Sequence, residues 1–147
     1  MVSLPTESTF ETYQGLEAFI AHEEELLRLA SKRDELLVIG GNGDYFMESM
    51  GESYGAYEFT RRKKEIRVRY IGSKDQVAQL QKNEANRFLF EARVLPGVFT
   101  GLVNTNIWPG VVNLNMFGTP VTSFVLKSPD VATSYRSFFE ALWSMAK

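Results

Sequence analysis

The last third of the chain constrains the fold most, because three strand-like runs divided by turn signals pass straight into one long amphipathic helix. Val98 to Trp108, Val111 to Phe117 and Val121 to Leu126 are separated by Pro109-Gly110 and by Gly118-Thr119-Pro120, residues that interrupt strands and set tight connections. This pattern predicts an antiparallel meander. Ser128 then suits an N-cap, Pro129 the first helical position, and Asp130 the positive end of the helix dipole. Val131, Tyr135, Phe138 and Leu142, with Phe139, Trp143 and Ala146 beside them, recur at helical spacing. The apolar face they make is too broad to leave in water, so the helix is expected to pack on the sheet and close the domain there.

Upstream, Leu16, Phe19, Ile20, Leu26, Leu27 and Ala30 form a helical stripe, with Glu23, Glu24 and Glu25 read as a solvated face. The continuous apolar run Leu36 to Ile39, within Glu35 to Gly40, predicts a central strand buried on both sides. Asp44 is placed to cap a helix running to about Arg62, in which Gly51 and Gly55 leave a smooth spot for a neighbouring element. Ile66, Val68 and Tyr70 alternate with Arg67 and Arg69 as in a strand. Ser73 caps a polar helix over Lys74 to Asn86, and Phe88 to Leu95 reads as the next strand. Residues 1–11 read as a frayed lead-in and 12–147 as a single domain. The order of elements describes an α/β sandwich with a mixed sheet.

A length of 147 residues, 44% of them hydrophobic, fits one packed core. The net charge of −2 offers no general attraction to nucleic acid or acidic membranes. The absence of cysteine rules out disulfides and thiolate metal sites. No apolar run approaches the ~20 residues of a membrane-spanning helix. A cytoplasmic protein without cofactor, metal, membrane or direct nucleic-acid contact is the expectation.

Tyr13-Gln14-Gly15-Leu16-Glu17, the basic Arg61-Arg62-Lys63-Lys64 leading into Ile66-Arg67-Val68, Arg93-Val94-Leu95-Pro96, and the ending Ser134 to Trp143 occur in an order that resembles the ligand-sensing domain of TrmB-type transcriptional regulators. The resemblance covers about Glu11 to Lys147. It implies a phospholipase-D-like α/β sandwich, whose mixed sheet is flanked by helices, that binds a sugar or another small polar effector. In that family the domain normally follows a helix-turn-helix and a coiled coil. The dozen residues before the first helix are too few for a helix-turn-helix, so a homodimer or a separate regulatory subunit is the implied partner. Phospholipase-D-type enzymes need a His-x-Lys-x4-Asp motif, which the resemblance would place in the meander. Thr100 to Trp108 contains neither histidine nor lysine, so the fold is expected to persist without the chemistry. The only histidine, His22, reads as a solvated surface residue.

The most suggestive constellation is a set of asparagines. If Pro109-Gly110 is a two-residue connection, Trp108 pairs with Val111, Asn106 with Asn113 and Asn104 with Asn115, all on one sheet face. Carboxamides both donate and accept, which suits a hydroxyl-rich ligand, and Trp108 offers a ring to stack on. The same pattern also fits a ribbon that turns its polar face to water. Asn42, in Gly40 to Asp44, belongs either to a ligand-binding loop or to a plain strand-to-helix turn. Arg93, in a strand-like segment, suits either a ligand or a salt bridge to Glu91 or Glu140. Arg61 to Lys64 reads as a solvated basic helix end. Small-molecule sensing therefore stands beside two alternatives: a protein interaction module that has lost its pocket, and an enzyme working through carboxylates and arginine.

Overall fold

The computed structural model describes residues 8–41, 43–97 and 101–147. A seven-stranded sheet, ordered β1-β7-β6-β5-β2-β3-β4, organises the molecule. The strands are β1 (Thr9–Gln14), β2 (Glu35–Ile39), β3 (Arg67–Gly72), β4 (Phe90–Val94), β5 (Val103–Trp108), β6 (Val111–Met116) and β7 (Thr122–Lys127). β2, β3 and β4 run parallel, whereas β2 meets β5 and β5 through β7 and β1 pair antiparallel, so the sheet is mixed. The helices are α1 (Leu16–Leu29), α2 (Gly43–Met50), α3 (Tyr54–Lys63), α4 (Val77–Asn86) and α5 (Pro129–Met145). None of the described helices is long and apolar enough to cross a membrane.

β2 sits between two apolar layers, as its unbroken hydrophobic run requires. Leu36 and Val38 join Phe19, Leu26 and Leu27 of α1, Tyr57 of α3 and Leu80 of α4 on one side. Leu37 and Ile39 join Ile71, Ile107 and the Phe139 and Trp143 rings of α5 on the other. α5 starts where its capping residues place it: the Ser128 hydroxyl accepts from the Val131 amide at 3.3 Å, with Pro129 in the first turn.

Several local expectations are corrected. Thr9 to Glu11, assigned to the lead-in, form the start of edge strand β1, paired to β7 from Thr9 opposite Lys127 to Gln14 opposite Thr122. The helix expected from Asp44 to Arg62 breaks at Gly51, whose φ of 52° only glycine adopts cheaply, into α2, a short 3₁₀ turn and α3. The basic run is a solvated end only in part: Arg62 and Lys63 are exposed, Arg61 and Lys64 are not. Arg61 is fully buried, donating to Glu58 at 2.7 Å and to the Ile66 carbonyl at 2.8 Å. Lys64 donates at 2.8 Å to each of the Leu27, Arg28 and Ala30 carbonyls, satisfying the C-terminal end of α1. The helical stripe of α5 is split as well: Ala132, Phe139, Trp143 and Ala146 are buried, but Tyr135 and Phe138 are exposed.

Candidate functional site

The meander forms with the register that a two-residue turn at Pro109-Gly110 dictates. Asn104 lies opposite Asn115, Asn106 opposite Asn113, and Trp108 opposite Val111. The face they share is not turned to water. It lies under α1, and all four asparagines are buried, Asn113 and Asn115 completely. Carboxamides are found in such a place only where they are hydrogen-bonded, because an unpaired buried amide costs a few kcal/mol.

Their main partner is Glu23, also completely buried. Its Oε1 accepts from the Asn113 amide at 3.1 Å and from the Asn115 amide at 3.0 Å. Asn113 donates in addition to Asn115 Oδ1 at 3.0 Å, and the Ser123 hydroxyl of β7 donates to the same oxygen at 2.7 Å. At the other end of the ladder Asn104 Oδ1 accepts from the Gly41 amide at 2.8 Å, tying the glycine loop after β2 to β5. A side chain at Gly41 would place its Cβ 2.3 Å from the Gly101 carbonyl, so this close approach needs glycine.

Burial drives the Glu23 carboxyl up to about 7, against the opposing pull of the Asn115 and Asn113 amides, which favour the anion. Burial holds the Tyr57 phenol above its ordinary range, and the Glu23 charge adds to the effect. Several polar atoms of the cluster have no protein hydrogen-bond partner: Glu23 Oε2, Asn106 Oδ1, Asn113 Oδ1, the Tyr57 hydroxyl and Trp108 Nε1. Beside Asn104 and Asn106 lies a cavity of about 40 Å³, walled by Val38, Tyr57 and Tyr70 and bounded toward solvent by Asn83 and Arg87. That space suits about three waters or the head of a ligand, but not a whole sugar ring.

The structure thus brings Asn104, Asn106, Asn113 and Asn115 together and leaves other candidate residues apart. Trp108 shares their face but is buried in the apolar core beside Leu26 and Leu36, with no ring surface presented to a ligand. Arg93 lies on the opposite face, donating to the Trp143 carbonyl at 2.9 Å with its guanidinium 4.4 Å from the Trp143 ring centroid. Neither expected carboxylate takes it, since Glu140 pairs with Arg69 and Glu91 with Arg67. Asn42 lies outside the described residues.

Against the expectation from sequence, His22 and Glu23 are buried. His22 is buried and stacks on Tyr13 with centroids 4.4 Å apart, and burial lowers its basicity. The missing signal was positional: Phe19, His22, Glu23, Leu26 and Leu27 follow an i, i+3, i+4, i+7, i+8 spacing, which is one helix face whatever its chemistry. Among the described residues no group of three or more histidines and carboxylates could hold a metal ion.

No family model and no curated protein sequence matches the chain. Solved structures do. TrmBL2, an archaeal chromatin protein, superposes with a TM-score of 0.61 at 13% identity over 94% of this chain, which spans 53% of TrmBL2. NucT from Helicobacter pylori gives 0.62 at 9% identity, covering 95% of this chain and 98% of NucT. Nuc from Salmonella typhimurium, a phospholipase D family member, gives 0.61 at 11% identity, covering 96% and 97%. At these identities the likeness concerns the fold, and the chain has the phospholipase-D-like α/β fold that TrmBL2 and the Nuc-type proteins share.

Proposed function

We propose that this domain is a non-catalytic sensor built on the phospholipase-D-like fold, which takes a small polar effector at the buried carboxamide ladder and signals to a second copy or a regulatory subunit. One observation carries the reading. Glu23 Oε2, where the carboxyl proton sits below about pH 7, and the amide oxygens of Asn106 and Asn113 are buried without protein hydrogen-bond partners, and groups of that kind call for a hydrogen-bonding occupant. The unpartnered amide oxygens of Asn106 and Asn113 favour a ligand offering hydroxyl or amine hydrogens. β5, in the meander where the resemblance would place a His-x-Lys motif, carries Asn104 and Asn106 and neither histidine nor lysine, and carboxamides bind but do not transfer protons or act as nucleophiles. The cavity admits only part of a ligand, so binding requires Asn83 and Arg87 to move outward from its rim.

Thermal unfolding against a panel of sugars, polyols, amino sugars and nucleotides tests the reading. A ligand at 100-fold its dissociation constant stabilises the native state by about 2.7 kcal/mol, a shift of several degrees. A selective shift that Asn106→Ala removes supports the sensor. A panel without any shift sinks it.

A further inference from the structure

We infer that the groove between α3 and the turn into β4 is the outer half of the effector site, and that the effector is a polyol carrying a carboxylate or phosphate group. The inference rests on the reading of the carboxamide ladder as the inner half. The cavity beside Asn104 and Asn106, about 40 Å³, is too small for a whole sugar ring, so the rest of such a ligand must lie outside it. Arg87 lines that cavity and also an open groove of about 370 Å³, walled by Tyr54, Glu58 and Phe59 of α3 and by Asn86 and Phe88. A space of that size takes a small molecule.

Cations gather at this groove. Each of its three aromatic rings has one beside it: the Arg62 guanidinium lies 5.0 Å from the Phe88 centroid, the Arg87 guanidinium 5.8 Å from that of Tyr54, and the Lys63 ammonium 5.4 Å from that of Phe59. Glu58 is the one acid among the described lining residues, and Arg61 and Arg87 already share it. Neither Arg62 nor Lys63 pairs with a carboxylate among the described residues, and Arg87 hydrogen-bonds Glu58 through Nε alone. A chain of net charge −2 thus holds uncompensated positive charge at one concave place, where a cleft focuses the field. Guanidinium groups with Nη donors to spare, held against rings, match the paired oxygens of a carboxylate or phosphate.

Arg87 joins the two halves. With Asn83 it bounds the inner cavity, and an anion in the groove draws its guanidinium outward, the direction in which the cavity opens. Behind it stands Asn106 Oδ1, buried, without a protein partner and on the cavity wall, where it accepts from a hydroxyl of the same ligand. The turn that presents Arg87 and Phe88 is fixed in place. Leu89 is held at φ 50°, a conformation that bulky residues adopt at a cost, and its carbonyl accepts from the Val68 amide at 2.9 Å.

Thermal unfolding and titration calorimetry of the whole chain with matched neutral and anionic polyols decide it, using glucose, gluconate and glucose 6-phosphate beside glycerol, glycerate and glycerol 3-phosphate at equal ionic strength. An anionic member is expected to raise the melting temperature where its neutral counterpart does not, and the carboxylate and phosphate arms tell which anion is taken. Arg62→Ala, at an exposed position, should weaken that binding at least about tenfold, as loss of a charged hydrogen bond does, and Asn106→Ala should weaken it as well. Arg33→Ala, the same charge change away from the groove, leaves it intact. Binding of a neutral polyol that Asn106→Ala removes and Arg62→Ala does not touch overturns the inference while leaving the ladder as a sensor. Anion binding indifferent to Asn106→Ala, or matched by inorganic phosphate alone, overturns the joint site, and so does a short oligothymidylate that binds where no small anion does. A panel in which nothing binds sinks both readings.

Discussion

Glu23 accepts a hydrogen bond from the Asn113 amide at 3.1 Å across 90 residues of sequence, and this contact joins α1 to the meander at a depth where neither side chain meets water. No cation pairs with the carboxylate among the described residues. A buried charge held only by amides is costly, and the cost falls on the ionised form.

Stability should therefore depend on pH through Glu23. Its carboxyl is raised from 4.5 to about 7 in the folded chain, so the native state holds a proton that the unfolded state has already lost. The stability present below pH 4.5 falls as pH rises toward 7 and levels off above it, a loss on the order of 3 kcal/mol. Glu23→Gln keeps an acceptor for both asparagines and removes the charge. Urea unfolding at pH 5 and pH 8 should show the native chain losing stability toward pH 8 relative to the variant, whose remaining dependence, from the buried His22 with its lowered basicity, has the opposite sign. An equal pH dependence in both would place the titration elsewhere.

Arg61 should be intolerant of replacement while its neighbour is not. It joins Glu58 to the Ile66 carbonyl from a fully buried position, and Glu58 also holds Arg87. Arg61→Met leaves part of that network uncompensated and is expected to cost about 3–5 kcal/mol by denaturant melts. Arg61→Lys recovers little, since an ammonium does not reproduce the forked geometry. Arg62→Ala, which loses one contact with the Phe88 ring, should stay within about 1 kcal/mol.

Two glycines should respond with opposite signs. Gly41→Ala drives a methyl group to 2.3 Å from the Gly101 carbonyl and strains the hydrogen bond that reaches Asn104, costing about 1–3 kcal/mol. Gly55, inside α3, has nothing within 4 Å of an added Cβ, so Gly55→Ala should stabilise by about 0.5–1 kcal/mol. Paired melting curves measure both.

Local chemistry made much of this molecule legible from sequence. Ser128, Pro129 and Asp130 set the start of α5, the apolar run of β2 required cover on both sides, and Pro109-Gly110 fixed the asparagine register, because caps, periodicity and turn residues act within a few positions. Other features depended on what lay across space. Whether the asparagine face met water or α1 could not follow from a strand's alternation, which is the same in both cases. Glu23 and His22 were buried because their positions on α1 faced the sheet, and Arg61 because Glu58 and the Ile66 carbonyl closed around it. Position on a helix face, rather than side-chain type, decided burial, and only the packed structure supplied the partners that made burying those polar groups tolerable.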